Sequence, residues 1–215
     1  MGVVGSQIGR PFGRRLPVSG GSSTPLFTGA DFVMDFVNGY YRRGATEGNT
    51  PSSIAATVNG SATIDGSGLL CDAEGESVSF SYAITSGAPF IIVTDYAAQT
   101  STALAGVFDF SNGGSPNLLA LYKTGANTVS QSGASLSAAY AASSKVANGF
   151  NATEHVISRA GGAVQKSSQT PPNLSTGTRF VGNLSTSTSP ALVPIRSIAI
   201  YLGVFSDAQI QEMAT

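Results

Sequence analysis

The chain has 215 residues, of which 41% are hydrophobic and 11% are charged, and its net charge is −1 at pH 7. Soluble proteins average about 25% charged residues, so Ser, Thr, Asn, Gly and Ala must cover most of the surface, and the few Lys and Glu residues argue against long exposed helices. The near-neutral charge argues against a basic surface that would attract nucleic acid, and no run of about 20 apolar residues is present to cross a membrane.

The first 28 residues are predicted to form an extended N-terminal arm, which precedes a single domain over 29–215. Gly, Pro and Ser recur through this segment, and it has neither a helical nor a strand period. Isolated apolar residues and arginines are anchors that an extended segment uses to bind a partner. The alternative is a leader that binds nothing. The predicted partner-binding residues are Ile8, Arg10, Phe12, Arg14, Arg15 and Leu16.

Alternation of apolar and polar residues begins at Asp31 and indicates the first strand of the domain. Phe32, Met34 and Phe36 fall on one face of this strand, and Asp31 and Asp35 fall on the other. Short apolar segments bounded by turn residues then recur along the chain. They predict further strands over 62–70, 78–84, 90–97, 103–110, 118–123, 154–159, 163–168 and 178–181.

The succession of short strands predicts an all-β fold in which two sheets pack face to face, as in a sandwich or jelly roll. The Ala- and Ser-rich segment 134–148 leaves three interpretations open: a helix, a polar loop or an irregular strand. Cys71 is the only cysteine, so an intrachain disulfide is excluded and a buried, apolar role is expected.

A short helix is predicted at the C-terminus, over 207–213. Ser206 can cap the amide of Gln209 while the Gln209 side chain reaches back, as in a capping box. Asp207 in the first turn favours the positive end of the helix dipole. A helix this short is expected to pack on the sandwich, through Ile210 and Met213.

Two C-terminal segments resemble concanavalin A-like and laminin-G-like domains. Residues 193–201 read Val-Pro-Ile-Arg-Ser-Ile-Ala-Ile-Tyr and are followed by Phe-Ser-Asp-Ala-Gln-Ile over 205–210. They look like the closing strand and short helix of that family, with Phe205 where leucine is usual. Residues 154–165 are similar to the preceding hairpin, in which a histidine often opens the strand. The resemblance implies a concanavalin A-like jelly-roll sandwich.

The start of the chain resembles virion proteins of tailed bacteriophages. Residues 8–13, Ile-Gly-Arg-Pro-Phe-Gly, and the motif Asp-Phe-x-x-Gly-x-Tyr over 35–41 look like the Gly-rich arm and the strand that precede such a sandwich. This resemblance implies a structural protein on the surface of the virion, as a capsid decoration, head fibre or tail-attached fibre. Its expected partners are other virion proteins, and the expected assembly is a homotrimer.

Catalytic groupings are not apparent, so the protein is predicted not to be an enzyme. The single histidine, His155, lies within a predicted strand, where a buried structural role is expected. Sugar hydrolases on this jelly roll resemble one another in a Glu-x-Asp-x-Glu strand, and this chain has none. Its nearest group of carboxylates is Asp72, Glu74 and Glu76, which surround Gly75 and are predicted to form a solvated turn.

The alternative prediction is that the protein is a lectin-like, receptor-binding module that binds host glycans. Lectin-like sandwiches hold sugars with a loop aromatic ring and polar groups, although strand tyrosines more often fill the core. The candidate rings are Tyr40, Tyr41, Tyr96, Tyr122 and Tyr140. No cofactor is predicted, but structural calcium is left open. Its candidate ligands are Asp65, Asp72, Asp95 and Asp109.

Overall fold

The computed structural model describes residues 27–97, 105–110, 119–123, 126–131, 134–139, 144–184 and 189–215. These segments form two antiparallel sheets and a short C-terminal helix, so the predicted all-β sandwich is confirmed. In the segments described, no helix is long and apolar enough to cross a membrane.

Sheet A is the larger of the two. Its strands are β1 (Phe32–Asp35), β2 (Tyr40–Arg43), β3 (Thr46–Gly48), β5 (Thr63–Asp65), β6 (Gly68–Leu70), β8 (Phe90–Tyr96), β13 (Ser144–Asn151), β14 (Glu154–Arg159), β15 (Gln165–Ser168) and β17 (Ile195–Leu202). They pair in the order β15–β14–β13–β8–β17–β1–β2–β3, and the β5–β6 hairpin joins through β17. The longest strands therefore lie side by side at the centre of the sheet.

Sheet B packs against one face of sheet A. Its strands are β4 (Ala56–Asn59), β7 (Ser77–Ser81), β9 (Ala105–Asp109), β10 (Leu119–Lys123), β11 (Ala126–Gln131), β12 (Ala134–Ala139) and β16 (Thr178–Val181). They pair in the order β12–β11–β10–β9–β16–β7–β4. A 3₁₀ helix, Pro51–Ile54, connects β3 of sheet A to β4 of sheet B.

Two predicted segments differ from the structure in detail, and a third, which the sequence left open between helix, loop and irregular strand, forms strands. The motif over 35–41 is not one strand: Asn38 donates to the Asp35 carboxylate from its backbone amide at 3.0 Å and from its side chain at 2.7 Å, and Gly39 has a φ of 62°. The chain reverses there, between β1 and β2. The predicted strand over 62–70 is a hairpin, β5 and β6, and the segment 134–148 forms β12 and most of β13.

Aromatic side chains fill the core between the sheets. Phe32, Met34 and Phe36 are buried there, as the alternation predicted. The Phe32 and Phe80 rings stack across the two sheets with their centroids 4.5 Å apart. Cys71 is fully buried in the same core, and burial raises its thiol pKa to about 12, which confirms its apolar role.

The outer face of sheet A, which points away from sheet B, carries a second apolar cluster. Helix α1 (Asp207–Met213) covers this face through the buried Ile210 and the half-buried Met213, and its capping box forms as predicted. Phe27 is also buried in this cluster. The Arg42 guanidinium donates to the carbonyl oxygens of Phe27 and Ala30, which fixes the entry of the chain into the domain beside α1.

Candidate functional site

A groove opens on the outer face of sheet A, between the entry of the chain and helix α1. Its volume is about 380 Å³, which lies within the range of about 300–1,000 Å³ typical of small-molecule sites. The lining residues are Thr28, Gly29, Tyr201, Phe205, Gln209, Glu212 and Met213. Residues from both ends of the described chain thus meet at one site.

Two aromatic rings give the groove its apolar surface. Tyr201 lies near the end of β17 and Phe205 in the loop that follows, with ring centroids 6.3 Å apart and planes at 87°. Tyr201 is almost fully buried, which raises its pKa to about 12, so its hydroxyl stays protonated at neutral pH. Phe205 is half-buried, and the part of its ring that remains exposed can contact a ligand.

Asn151 holds the backbone of Phe205 in place. Its side-chain Nδ2 donates to the Phe205 carbonyl oxygen at 2.7 Å, and its Oδ1 accepts from the Phe205 amide at 2.9 Å. Asn151 is the last residue of β13, so a strand of sheet A holds the backbone of the loop that carries this aromatic ring. A loop backbone that is already held in place reduces the entropic cost of binding.

Helix α1 supplies the polar side of the groove. Gln209 and Glu212 are three residues apart and so lie on the same helix face. In the capping box, Gln209 Oε1 accepts from the Ser206 amide at 2.9 Å and from the Ser206 hydroxyl at 3.1 Å. This leaves the Gln209 Nε2 group as a donor at the groove. Glu212 is exposed and adds a carboxylate acceptor.

His155 lies away from this groove, in the interior between the sheets. Its Nε2 is 3.0 Å from Asn148 Oδ1, and its ring stacks on Phe150 with centroids 4.9 Å apart. Burial lowers its pKa to about 4, so the imidazole is neutral at physiological pH. The prediction of a buried structural histidine is confirmed.

The acidic group at 72–76 forms a turn, as predicted, but the turn is not fully solvated. Glu76 is 4% exposed, and its Oε2 accepts from the backbone amides of Asp72 and Ala73 at 2.8 and 3.0 Å. The prediction was therefore wrong for Glu76, because a carboxylate can be buried when backbone donors satisfy it. Glu74 remains exposed.

The four candidate calcium ligands are held separately. Asp65 accepts from the amide and hydroxyl of Ser67 within the β5–β6 turn. Asp95 forms an ion pair with Arg196, Asp109 is buried in sheet B and Asp72 is exposed. Among the residues that the structure describes, no three His, Cys, Asp or Glu side chains come together to hold a metal ion.

The candidate sugar-binding tyrosines are also placed elsewhere. Tyr41 and Tyr96 are buried in the core, which is the structural role expected of strand tyrosines. Tyr40 donates its hydroxyl to Glu47 Oε1 at 2.7 Å, outside the groove. Nothing is described of the side chains of Tyr122 and Tyr140.

Sequence reasoning missed the two rings that line the groove. The available signal was Phe205, an aromatic residue at a motif position where leucine is usual. The predicted arm residues Ile8, Arg10, Phe12, Arg14, Arg15 and Leu16 lie outside the described residues, so their role in partner binding stays a prediction.

Comparisons with known proteins place this architecture among β-sandwiches. No protein-family model and no curated protein matches the sequence. Solved structures do match. The sialidase of Trypanosoma rangeli in complex with 2,3-difluorosialic acid is 11% identical, with a TM-score of 0.58 over 86% of this chain and 32% of that one.

Two separate domains are also similar. Domain 4 of the arabinanase AbnA from Geobacillus stearothermophilus, in complex with arabinotriose, is 9% identical, with a TM-score of 0.54 over 68% of this chain and 76% of that one. The CBM40 of the Ruminococcus gnavus IT-sialidase is 11% identical, with a TM-score of 0.52 over 74% of this chain and 97% of that one.

The chain has the β-sandwich fold of these domains. The low identities establish the shared fold and leave ligand and activity to be argued from this chain's own residues. The chain also spans only 32% of the Trypanosoma rangeli sialidase and 26% of the NanB sialidase of Streptococcus pneumoniae. The likeness therefore concerns a part of those enzymes.

Proposed function

We propose that this protein is a non-enzymatic, glycan-binding β-sandwich module and that its ligand site is the groove beside helix α1. The observation that carries this proposal is the Phe205 ring, which Asn151 orders next to the Gln209 amide and the Glu212 carboxylate. A sugar ring has an apolar C–H face and a rim of hydroxyl groups. An aromatic surface beside a donor and an acceptor complements both features.

The solved structures support this proposal at the level of the fold. A similar sandwich is a domain of an arabinanase in complex with arabinotriose, and another is a carbohydrate-binding module of a sialidase. Arabinotriose is uncharged, whereas the difluorosialic acid bound to the Trypanosoma rangeli sialidase carries a carboxylate. The fold thus favours carbohydrate as the ligand class and does not select between uncharged and acidic sugars.

The non-enzymatic part of the proposal is argued from the composition of the groove. Glu212 is the single carboxylate among the described residues that line it, whereas glycoside hydrolysis generally uses two carboxyl groups on either side of the scissile bond. His155, the single histidine of the sequence, is buried between the sheets, on the other side of sheet A from the groove.

The virion location, the virion protein partners and the homotrimer remain predictions from the resemblance of the arm and of the motif over 35–41. A surface module that binds glycans is compatible with that setting, since the arm would hold the domain on the particle. Phe27 supports a fixed point of attachment, because its side chain is buried beside α1 and Arg42 binds its carbonyl oxygen.

The experiment is a calorimetric titration with the sugars that wild-type protein binds in a glycan screen, repeated with Phe205→Leu. Leucine preserves an apolar side chain for packing and removes the aromatic face, so we expect affinity to fall about tenfold. Val204→Ala is the matched control, because Val204 is 65% exposed and does not line the groove. Absence of glycan binding, or wild-type affinity in Phe205→Leu, would refute the proposal.

A further inference from the structure

We infer that the groove selects uncharged sugars against acidic ones and that the Glu212 carboxylate sets this selectivity. The inference rests on the proposed glycan-binding function and specifies its ligand class. It follows from the charged and polar side chains that line the groove, among which Glu212 carries the charge.

The lining of the groove carries negative charge without a compensating cation. Among the described lining residues, Glu212 is charged and Thr28, Gln209 and Tyr201 are neutral and polar; none is Lys or Arg. The last turn of helix α1, which carries Glu212, has no basic residue. An acidic sugar in the groove would therefore bring its carboxylate towards the Glu212 carboxylate.

The nearby cations are committed to other partners. Lys166 Nζ pairs with Asp207 Oδ1 at 2.8 Å and with Glu154 Oε2 at 3.3 Å. The Arg42 guanidinium lies behind the groove wall, where it donates to the carbonyl oxygens of Phe27 and Ala30 and its charge acts on the Tyr201 hydroxyl, but it does not line the groove. Glu212 is therefore the charged side chain that a ligand in the groove can contact directly.

The same residues favour a ligand that donates hydrogen bonds. A carboxylate accepts and cannot donate, so Glu212 requires hydroxyl groups from its ligand. Hydrogen bonds to an ionised acceptor are stronger than those between neutral groups. Gln209 Nε2 supplies the complementary donor, and the Phe205 ring and Met213 contact the apolar face. Neutral hexoses and pentoses offer this combination.

The test compares sugars that differ only at C6, where the hydroxymethyl group of the neutral sugar is a carboxylate in the acidic one, in titrations of the full chain at one ionic strength. Suitable pairs are galactose and galacturonic acid, and glucose and glucuronic acid. For each neutral sugar that binds, we expect its acidic counterpart to bind at least about tenfold more weakly, an effect that high salt reduces.

Glu212→Gln identifies the residue responsible. Glutamine keeps the size and one oxygen acceptor of the side chain but removes its charge, so we expect neutral sugars to bind a few-fold more weakly. The ratio of the affinity for a neutral sugar to the affinity for its acidic counterpart should fall towards one. Glu74→Gln is the matched control, because Glu74 is exposed in the 72–76 turn and does not line the groove. It should leave the ratio unchanged.

Two results would overturn the inference while the glycan-binding function stands. One is an acidic sugar that binds as tightly as its neutral counterpart or more tightly, and the other is an unchanged ratio in Glu212→Gln. Failure of every sugar to bind would instead refute the proposed function, and this inference with it. Where a sugar does bind, weaker binding in Phe205→Leu identifies the groove as its site.

Discussion

At the scale of single residues, the interior holds polar side chains whose partners lie far away in the sequence. Arg179 is fully buried in sheet B, where it donates hydrogen bonds to the carbonyl oxygens of Tyr82, Phe110, Leu174 and Thr176. Position 179 within a predicted strand gave no sign of this role. Burial of a charge is tolerated when such partners satisfy it, and the sequence alone does not contain their positions.

His155 makes folding stability depend on pH. Its folded-state pKa of about 4 lies below the ordinary value of 6.5 because burial disfavours the charged form. Well above pH 6.5 the imidazole is neutral in both states and its full contribution is present. As the pH falls towards 4 the unfolded chain takes up the proton first, so stability is lost. We expect a loss of about 2 kcal/mol in the free energy of unfolding between pH 7 and 5.

Urea unfolding at pH 7, 6 and 5 measures this dependence. His155→Gln is the control, since glutamine can still bond Asn148 and does not titrate. The variant should be less stable overall, because it loses the stack on Phe150, but its free energy of unfolding should change less between pH 7 and 5. If that free energy falls equally steeply with pH in the two proteins, other groups cause the acid sensitivity.

At the scale of elements, local sequence signals predicted where α1, β14 and β16 begin and end. They did not predict contacts between residues that are distant in the sequence. Helix α1 occupies the predicted range 207–213, because Ser206 and Gln209 form its capping box within four residues. Strands β14 and β16 also match their predicted bounds. The reversal within 35–41 was missed because the strand alternation outweighed the turn signals at Asn38 and Gly39. The groove could not be predicted, since Thr28 and Glu212 meet only after folding.

The site depends on the hydrogen bonds between Asn151, at the end of β13, and Phe205, in the loop before α1. We expect Asn151→Ala to release the backbone of Phe205, because both hydrogen bonds from the side chain disappear. The Phe205 amide should then exchange with deuterium at least about tenfold faster, since losing about 1.4 kcal/mol of protection corresponds to that factor. Glycan affinity should fall in parallel. Unchanged exchange at Phe205 would show that Asn151 does not order the loop.

At the scale of the whole molecule, one sheet serves two purposes. The inner face of sheet A forms the main core with sheet B, and its outer face supports Phe27, helix α1 and the groove. Placing the groove outside the sandwich leaves it open to a ligand while the core stays closed. The two ends of the described chain converge there, so a segment that precedes Phe27 starts beside the proposed ligand site.

Amide chemical shifts of the full-length protein, recorded by nuclear magnetic resonance during titration with the neutral sugar that binds most tightly, test this account most directly. The account predicts the largest shift changes at Phe205, at the side-chain amide of Gln209 and along helix α1, with Gly29 affected from the opposite wall. Changes confined to sheet B or to the β5–β6 hairpin, with the groove unaffected, would contradict it.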